Sequence, residues 1–242
     1  MRVKSIQDVD VPSVGLGTWK LKGDDCIHAV EHALSIGYRH IDTAQAYENE
    51  AQVGSGMQRS GVNRDEIFLT TKIMPEKFEY DTFVEAVDNS LQRLKSTHAD
   101  LLLLHWPNQD LPVSEPLGAM IELRQAGKIR HIGVSNFTPT MVQEASKHAT
   151  LFCNQVEYHP FLSQDHLLQQ ASEMDYLLTA YSPLAQGKTL EHDVLQQIAD
   201  NHREANIDIF DFELDEEEIN RISDLRRGER LIDPAMAPRW ER

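Results

Sequence analysis

The stretch YRHIDTAQAYENEAQVGSGMQRSGVNRDEIFLTTKI (residues 38–73) decides how the whole chain is read. Its two ends, YRHIDTA (38–44) and EIFLTTKI (66–73), are short and nearly continuously apolar or β-branched, as strands covered on both faces are. The ENEAQVGSGMQRSG between them reads as a helix. Strand, helix, strand is the unit of a parallel sheet. The pattern continues in both directions. VGLGTW (14–19) precedes the helix-like DDCIHAVEHALSIG, and DLLLLHWP (100–107), KIRHIGVSNF (128–137), LFCNQVEYHP (151–160) and DYLLTAYSP (175–183) each precede an amphipathic segment. So many units with no Pro/Gly/Ser linker predict one α/β domain over residues 1–242. They favour a closed (β/α)8 TIM barrel over an open doubly wound sheet. The opening VKSIQDVDVPSV alternates enough to form a small N-terminal β-hairpin. Asp24 or Asp25 is expected to cap the first helix and Gly37 to end it; Gly127 should end the fourth.

The eighth unit breaks the pattern. After a helix ending near residue 201 the chain reads HREANIDIFDFELDEEEINRISDL, where IDIF (207–210) is short and runs straight into an acidic helix. A barrel unit is about 30 residues, and about that much is missing near residues 201–203. The expectation is a deletion there, or a segment left out of the sequence as written. A seven-stranded remnant would carry two unpaired strand edges.

Asp and Glu number 39 against 23 Lys and Arg, a formal net charge of −16. That balance argues against a nucleic-acid partner, since phosphates would be repelled. It fits a surface kept soluble by self-repulsion, or one adapted to high salt, where screening removes the repulsion. On the second reading, stability to urea rises between low and molar KCl; no rise would leave only the first. No apolar run approaches the roughly 18 residues of a membrane span, and MRVKSIQDVD lacks the apolar core of a secretory signal. Cys26 and Cys153 read as buried free thiols rather than a disulfide. Together these point to the cytoplasm.

In a barrel of this kind catalytic groups sit at the C-terminal ends of the strands. The strand over 38–44 ends with Asp42, and Tyr47 follows in its loop. The next ends with Lys72, and the one after with His105. A buried lysine there needs a carboxylate, and Asp42 is the partner on the adjacent strand. A phenol has a pKa near ~10, and a neighbouring ammonium is expected to lower it. Tyr47 beside Lys72 is then a proton donor, with His105 orienting a carbonyl oxygen. Proton to oxygen and hydride to carbon is carbonyl reduction.

GLGTW, DTAQAYENE, TTKI, LLLHWP, IGVSNF, NQVEYHP and YSPL, in this order, resemble the aldo-keto reductases. The likeness is strongest to the short prokaryotic members related to 2,5-diketo-D-gluconate and methylglyoxal reductases, and it covers nearly the whole chain outside the gap. The resemblance implies Tyr47 as general acid, Lys72 and Asp42 tuning it, and His105 orienting the substrate. It implies NADP(H) as cofactor, with Ser135, Asn136 and Gln155 on the nicotinamide carboxamide and Tyr181 stacked on the ring. Thr18 and Asp42 would meet the nicotinamide ribose, and Ser182, Leu184 and Gln186 the pyrophosphate. Asn206 matches an adenine-side position and Arg203 a remnant of the 2′-phosphate site, whose usual Lys-Ser this chain lacks. Trp19 and Trp106 would wall an apolar pocket for a small dicarbonyl or sugar-derived substrate. Short loops after residue 107 and at the C-terminus imply an open pocket, and the family habit is a monomer.

Two rival readings stand beside this one. HAVEH (28–32) fits H-x-x-E-H, a zinc-peptidase pattern, but its histidines fall opposite the apolar stripe of a helix outside the barrel, so no metal is expected. A non-catalytic remnant of the fold is the other, if the eighth unit is deleted. GLGTWK lacks the third glycine and the helix start of a Rossmann fingerprint.

Overall fold

The computed structural model describes residues 2–202 and 212–240. A two-stranded antiparallel hairpin, β1 (Val3–Ile6) and β2 (Val9–Pro12), comes first. Seven parallel strands follow in sequence order: β3 (Leu16–Gly17), β4 (His40–Asp42), β5 (Phe68–Ile73), β6 (Ala99–Leu104), β7 (Ile129–Ser135), β8 (Cys153–Glu157) and β9 (Leu177–Tyr181). Between them run α1 (Gly23–Ser35), α2 (Glu50–Ser60), α3 (Tyr80–Arg93), α4 (Ser114–Gln125), α5 (Pro139–Ala145) and α6 (Asp165–Met174). After β9 come α7 (Asp193–Asn201) and the acidic α8 (Glu216–Ser223), which carries a capping box between Asp215 and Glu218.

This is a TIM-barrel-like sheet, nearly closed, with the hairpin below it. Every residue of β5, β6 and β8 is buried, as parallel strands covered on both faces must be. Alternation along β5 shows the two faces. Thr70 and Lys72 turn inward, Thr70 to the His40 ring at 3.1 Å. Thr71 turns outward, donating to Glu50 of α2 at 2.7 Å. The hairpin's Ile6, Val9 and Val11 pack on Phe68, Leu101 and Phe152, which plugs the barrel floor. Asp100 at the start of β6, 4% exposed, accepts from Arg64, Arg130 and the Leu69 amide at 2.7–2.9 Å.

Among the described residues β3 and β9 pair on one side only. β9 shows the consequence: none of its five residues is buried, whereas all five of β8 are. No described residue pairs with the free sides of β3 and β9, where the eighth unit was expected. IDIF (207–210), Arg203 and Asn206 lie outside the described residues.

Local chemistry explains the helix placement, with one correction. Lys22, not Asp24 or Asp25, occupies the cap of α1, and its side chain makes no cap bond. The two aspartates sit within the first turn, where they still complement the positive end of the helix dipole. Gly37 and Gly127, at φ +105° and +74°, follow α1 and α4 in the left-handed region. The GSG of α2 has a packing reason. A Cβ on Gly54 would lie 2.6 Å from the Leu94 carbonyl oxygen, and one on Gly56 2.7 Å from that of Ile27, so α2 sits almost backbone-to-backbone on its neighbours.

Candidate active site

Lys72 ends the inward row of β5 and is 1% exposed. An ammonium so buried needs compensation. Its Nζ donates to Asp42 Oδ1 and, at 2.8 Å, to the Thr43 carbonyl. The other Asp42 oxygen accepts from Gln155 Nε2 at 2.7 Å. Tyr47, in the single 3₁₀ turn Gln45–Tyr47 after β4, lies with its ring centroid 5.2 Å from Lys72 Nζ. His105, just past β6, meets the Tyr47 ring edge-on at 5.8 Å. The four residues singled out in the sequence thus converge on one mouth.

The electrostatics correct one expectation. Lys72 does draw the Tyr47 phenol pKa down, but burial outweighs it, and the phenol sits above its ordinary value. The sequence shows the neighbouring charge and not the depth. Lys72 itself is pulled down by burial, then raised above its ordinary value by Asp42 and Tyr47. Burial and Lys72 together push His105 down to about 3, so its imidazole is neutral. Its buried Nδ1 has no hydrogen-bond partner among the described residues.

A second group of polar side chains lines the wall beside this mouth. Ser135 Oγ donates to the Gln155 carbonyl at 2.8 Å. Asn136 Nδ2 donates to the His105 carbonyl at 2.9 Å and its Oδ1 accepts from Tyr181 at 2.8 Å. Asn136 has φ +64°, a conformation asparagine tolerates better than most residues. Ser135, Asn136, Gln155 and Tyr181 therefore form one network reaching Asp42 and Lys72. Amide and hydroxyl groups able to exchange these bonds for those of a carboxamide are the donor set a nicotinamide requires. Thr18, fully buried, donates to the Asp42 carbonyl at 3.1 Å.

The cavity these residues face measures about 1330 Å³. Trp19 (44% exposed) and buried Trp106 line its mouth. From there it extends along the open side between β3 and β9 down to Ile6 and Val11 of the hairpin. Ser182 lines it; Leu184 and Gln186 are exposed beyond its lining. Backbone at positive φ clusters there, at Ser182, Ala185, Gln186 and Gly187. His28 and His32 of HAVEH are exposed on α1, whose buried side is Cys26, Val30, Ala33 and Leu34.

Two features escape a reading of the sequence. Asn49 is fully buried and ties three segments together. Its amide donates to the Thr18 and Leu21 carbonyls at 2.8 and 3.0 Å, and its oxygen accepts from Thr43 at 3.0 Å. A polar residue before a helix reads as a cap; this one makes no cap bond. Ile232, Pro234 and Met236 of the C-terminal segment also line the cavity. Nothing in LIDPAMAPRWER marks them.

Fold and mouth together are those of a barrel oxidoreductase. The profile of the aldo/keto reductase family matches residues 13–204. A glyoxal reductase of Bacillus subtilis (strain 168) is 38% identical, over 95% of this chain and 94% of its own. A solved structure provisionally named 2,5-diketo-D-gluconic acid reductase B superposes with a TM-score of 0.96 at 38% identity, covering 100% of this chain and 98% of that one. A Bombyx mori aldo-keto reductase in complex with NADP gives 0.87 at 29% identity, covering 96% and 94%. The chain belongs to the aldo/keto reductase family. The alignment with the glyoxal reductase runs over 260 positions while using 95% of these 242 residues. That leaves roughly 30 positions of the alignment, 260 less about 230, without a residue of this chain.

Proposed function

We propose that this chain reduces aldehyde and ketone groups of small dicarbonyl or sugar-derived compounds to alcohols, with NADPH bound at the mouth supplying the hydride. The observation that carries the reading is the buried Lys72 ammonium, held behind Asp42 and Tyr47, which line the cavity. Ser135, Asn136 and Gln155 would hold the carboxamide of the cofactor and Tyr181 would stack on its ring. Thr18 and Asp42 would take the ribose, and Ser182, Leu184 and Gln186 the pyrophosphate. A name that speaks of glyoxal and another of diketogluconic acid, on relatives 38% identical, support the substrate class. A bound NADP in a third supports the cofactor.

Tyr47 gives its proton to the carbonyl oxygen. Its raised pKa keeps that proton in place at neutral pH, and the Lys72 charge stabilises the phenolate as it forms. Asp42 keeps Lys72 charged. The neutral His105 ring directs the carbonyl oxygen toward the phenol. Trp19 and Trp106 exclude water from the apolar side of the substrate. Two buried free thiols support a cytoplasmic site of action, and the family habit is the ground for a monomer.

The test is NADPH consumption against glyoxal, methylglyoxal and diketogluconate, with NADH in parallel. Consumption with none of these, by a protein that is folded, would favour a binding remnant. The seven barrel strands found among the described residues are the observation behind that rival. The pH profile is a further check. With His105 near 3, kcat/KM for reduction should be flat between pH 5 and 8 and fall only in alkali, where Tyr47 deprotonates. An inflection near the ordinary histidine value of about 6.5 would remove the neutral role of His105.

A further inference from the structure

β8 ends on a carboxylate that the mechanism does not use. Glu157 is fully buried, and its two oxygens gather the C-terminal segment. Oε1 accepts from the Leu231 amide at 2.8 Å and pairs with His159 Nε2 at 3.1 Å. Oε2 accepts from the Ile232 amide at 3.1 Å and faces Arg230 Nη1 at 3.8 Å. Three consecutive residues of an irregular segment thus converge on one side chain.

From that anchor the segment builds one side of the pocket. The Arg230 guanidinium lies 3.6 Å over the Trp240 ring. Trp240 Nε1 donates to Asp233 at 2.9 Å, and its ring meets Trp106 at 6.3 Å and 66°. Trp106 is a wall of the cavity, and Ile232 and Met236 line it directly. The anchor therefore leads from Glu157 through Arg230 and Trp240 to Trp106.

Burying a carboxylate is expensive unless its hydrogen bonds and charge are met. An apolar residue would pack the end of β8 at less cost, but it could not fix the register of a segment that has no helix or strand of its own. Backbone amides can bind only an acceptor, and an ionised one binds them most strongly.

We propose that Glu157 is a positioning residue: it pins the C-terminal segment as one wall of the substrate pocket and so sets which carbonyl compounds fit. The effect on substrates rests on the carbonyl-reductase reading above; the pinning does not.

Glu157→Gln tests it. The amide keeps the size, loses the charge, and turns one acceptor into a donor facing a backbone N–H. In the folded variant, acrylamide should quench Trp240 more strongly than in the wild type. A parallel series in a Trp240→Phe background assigns the signal, since that series should show no increase. KM for the best carbonyl substrate should rise about tenfold, near 1.4 kcal/mol of lost binding, with kcat within about twofold. Glu157→Asp should recover part of both. A variant that melts earlier but keeps wild-type quenching and KM would overturn the proposal and leave Glu157 a purely structural group. If Glu157→Gln does not fold, Arg230→Met removes the stacking link, and with it the cation facing Glu157 Oε2, and should release Trp240 in the same assay; unchanged quenching there would also overturn it. Should the wild type consume no NADPH, the carbonyl reading fails, while the quenching result still decides the pinning.

Discussion

Tyr47→Phe should lose roughly 100- to 10,000-fold in kcat for carbonyl reduction, the range a positioned general acid contributes, and keep its affinity for NADPH. The reason is local. Among the described residues, the Tyr47 phenol carries the acidic proton held against Lys72 at the cavity. Removing it changes little else, because the ring still packs edge-on against His105. The measurements are single-turnover reduction and cofactor titration by fluorescence on the same preparation. A variant keeping wild-type kcat on every carbonyl tried would show that Tyr47 is not the donor. Loss of both turnover and cofactor binding would show instead that the ring shapes the site.

How much of this could be read before the structure depends on what kind of evidence each residue carries. Lys72 and His105 were legible because a charged or ionisable group ends a run of apolar residues, and a barrel turns every such end toward one mouth. Asp42 followed as the partner Lys72 requires. The network through Ser135, Asn136, Gln155 and Tyr181 was legible only through the resemblance, since serine and asparagine after a strand also cap helices. Asn49 was not legible, because its role is to join carbonyls of two loops that meet only in the fold. Glu157 and Trp240 were hidden for a related reason. The C-terminal wall exists through backbone amides folding onto one carboxylate, and backbone amides have no sequence signature. The Tyr47 phenol was misjudged because a sequence shows which charge is near and not how deeply both are buried. The seventh barrel strand, β9, the last among the described residues, was read correctly as a strand. Its exposure goes with its one-sided pairing among the described residues; the gap expected near residues 201–203 from the rhythm of earlier units borders residues that are not described.

Asp42→Ala should cost about 3–5 kcal/mol of stability at neutral pH, the loss typical when one member of a buried ion pair is removed. It leaves a lysine 1% exposed with the Thr43 carbonyl and the Tyr47 phenol as its remaining partners. The sign of the pH dependence is the sharper test. In the wild type the folded-state pKa of Lys72 lies above its ordinary value. The stability it contributes is complete below the unfolded pKa of about 10.4 and is lost as pH rises through the folded value. In the variant the raising influence of Asp42 is gone, and burial, the largest single influence on Lys72, carries its pKa below the ordinary value. The unfolded chain then binds more protons than the folded one, so stability rises with pH. Urea unfolding between pH 7 and about 9.5, below the ordinary lysine value, should give a flat wild-type line and a rising variant line. The gap between them should narrow toward alkali. Parallel lines would mean that Lys72 keeps its proton without Asp42, and that the pair is not what holds a charge beside Tyr47.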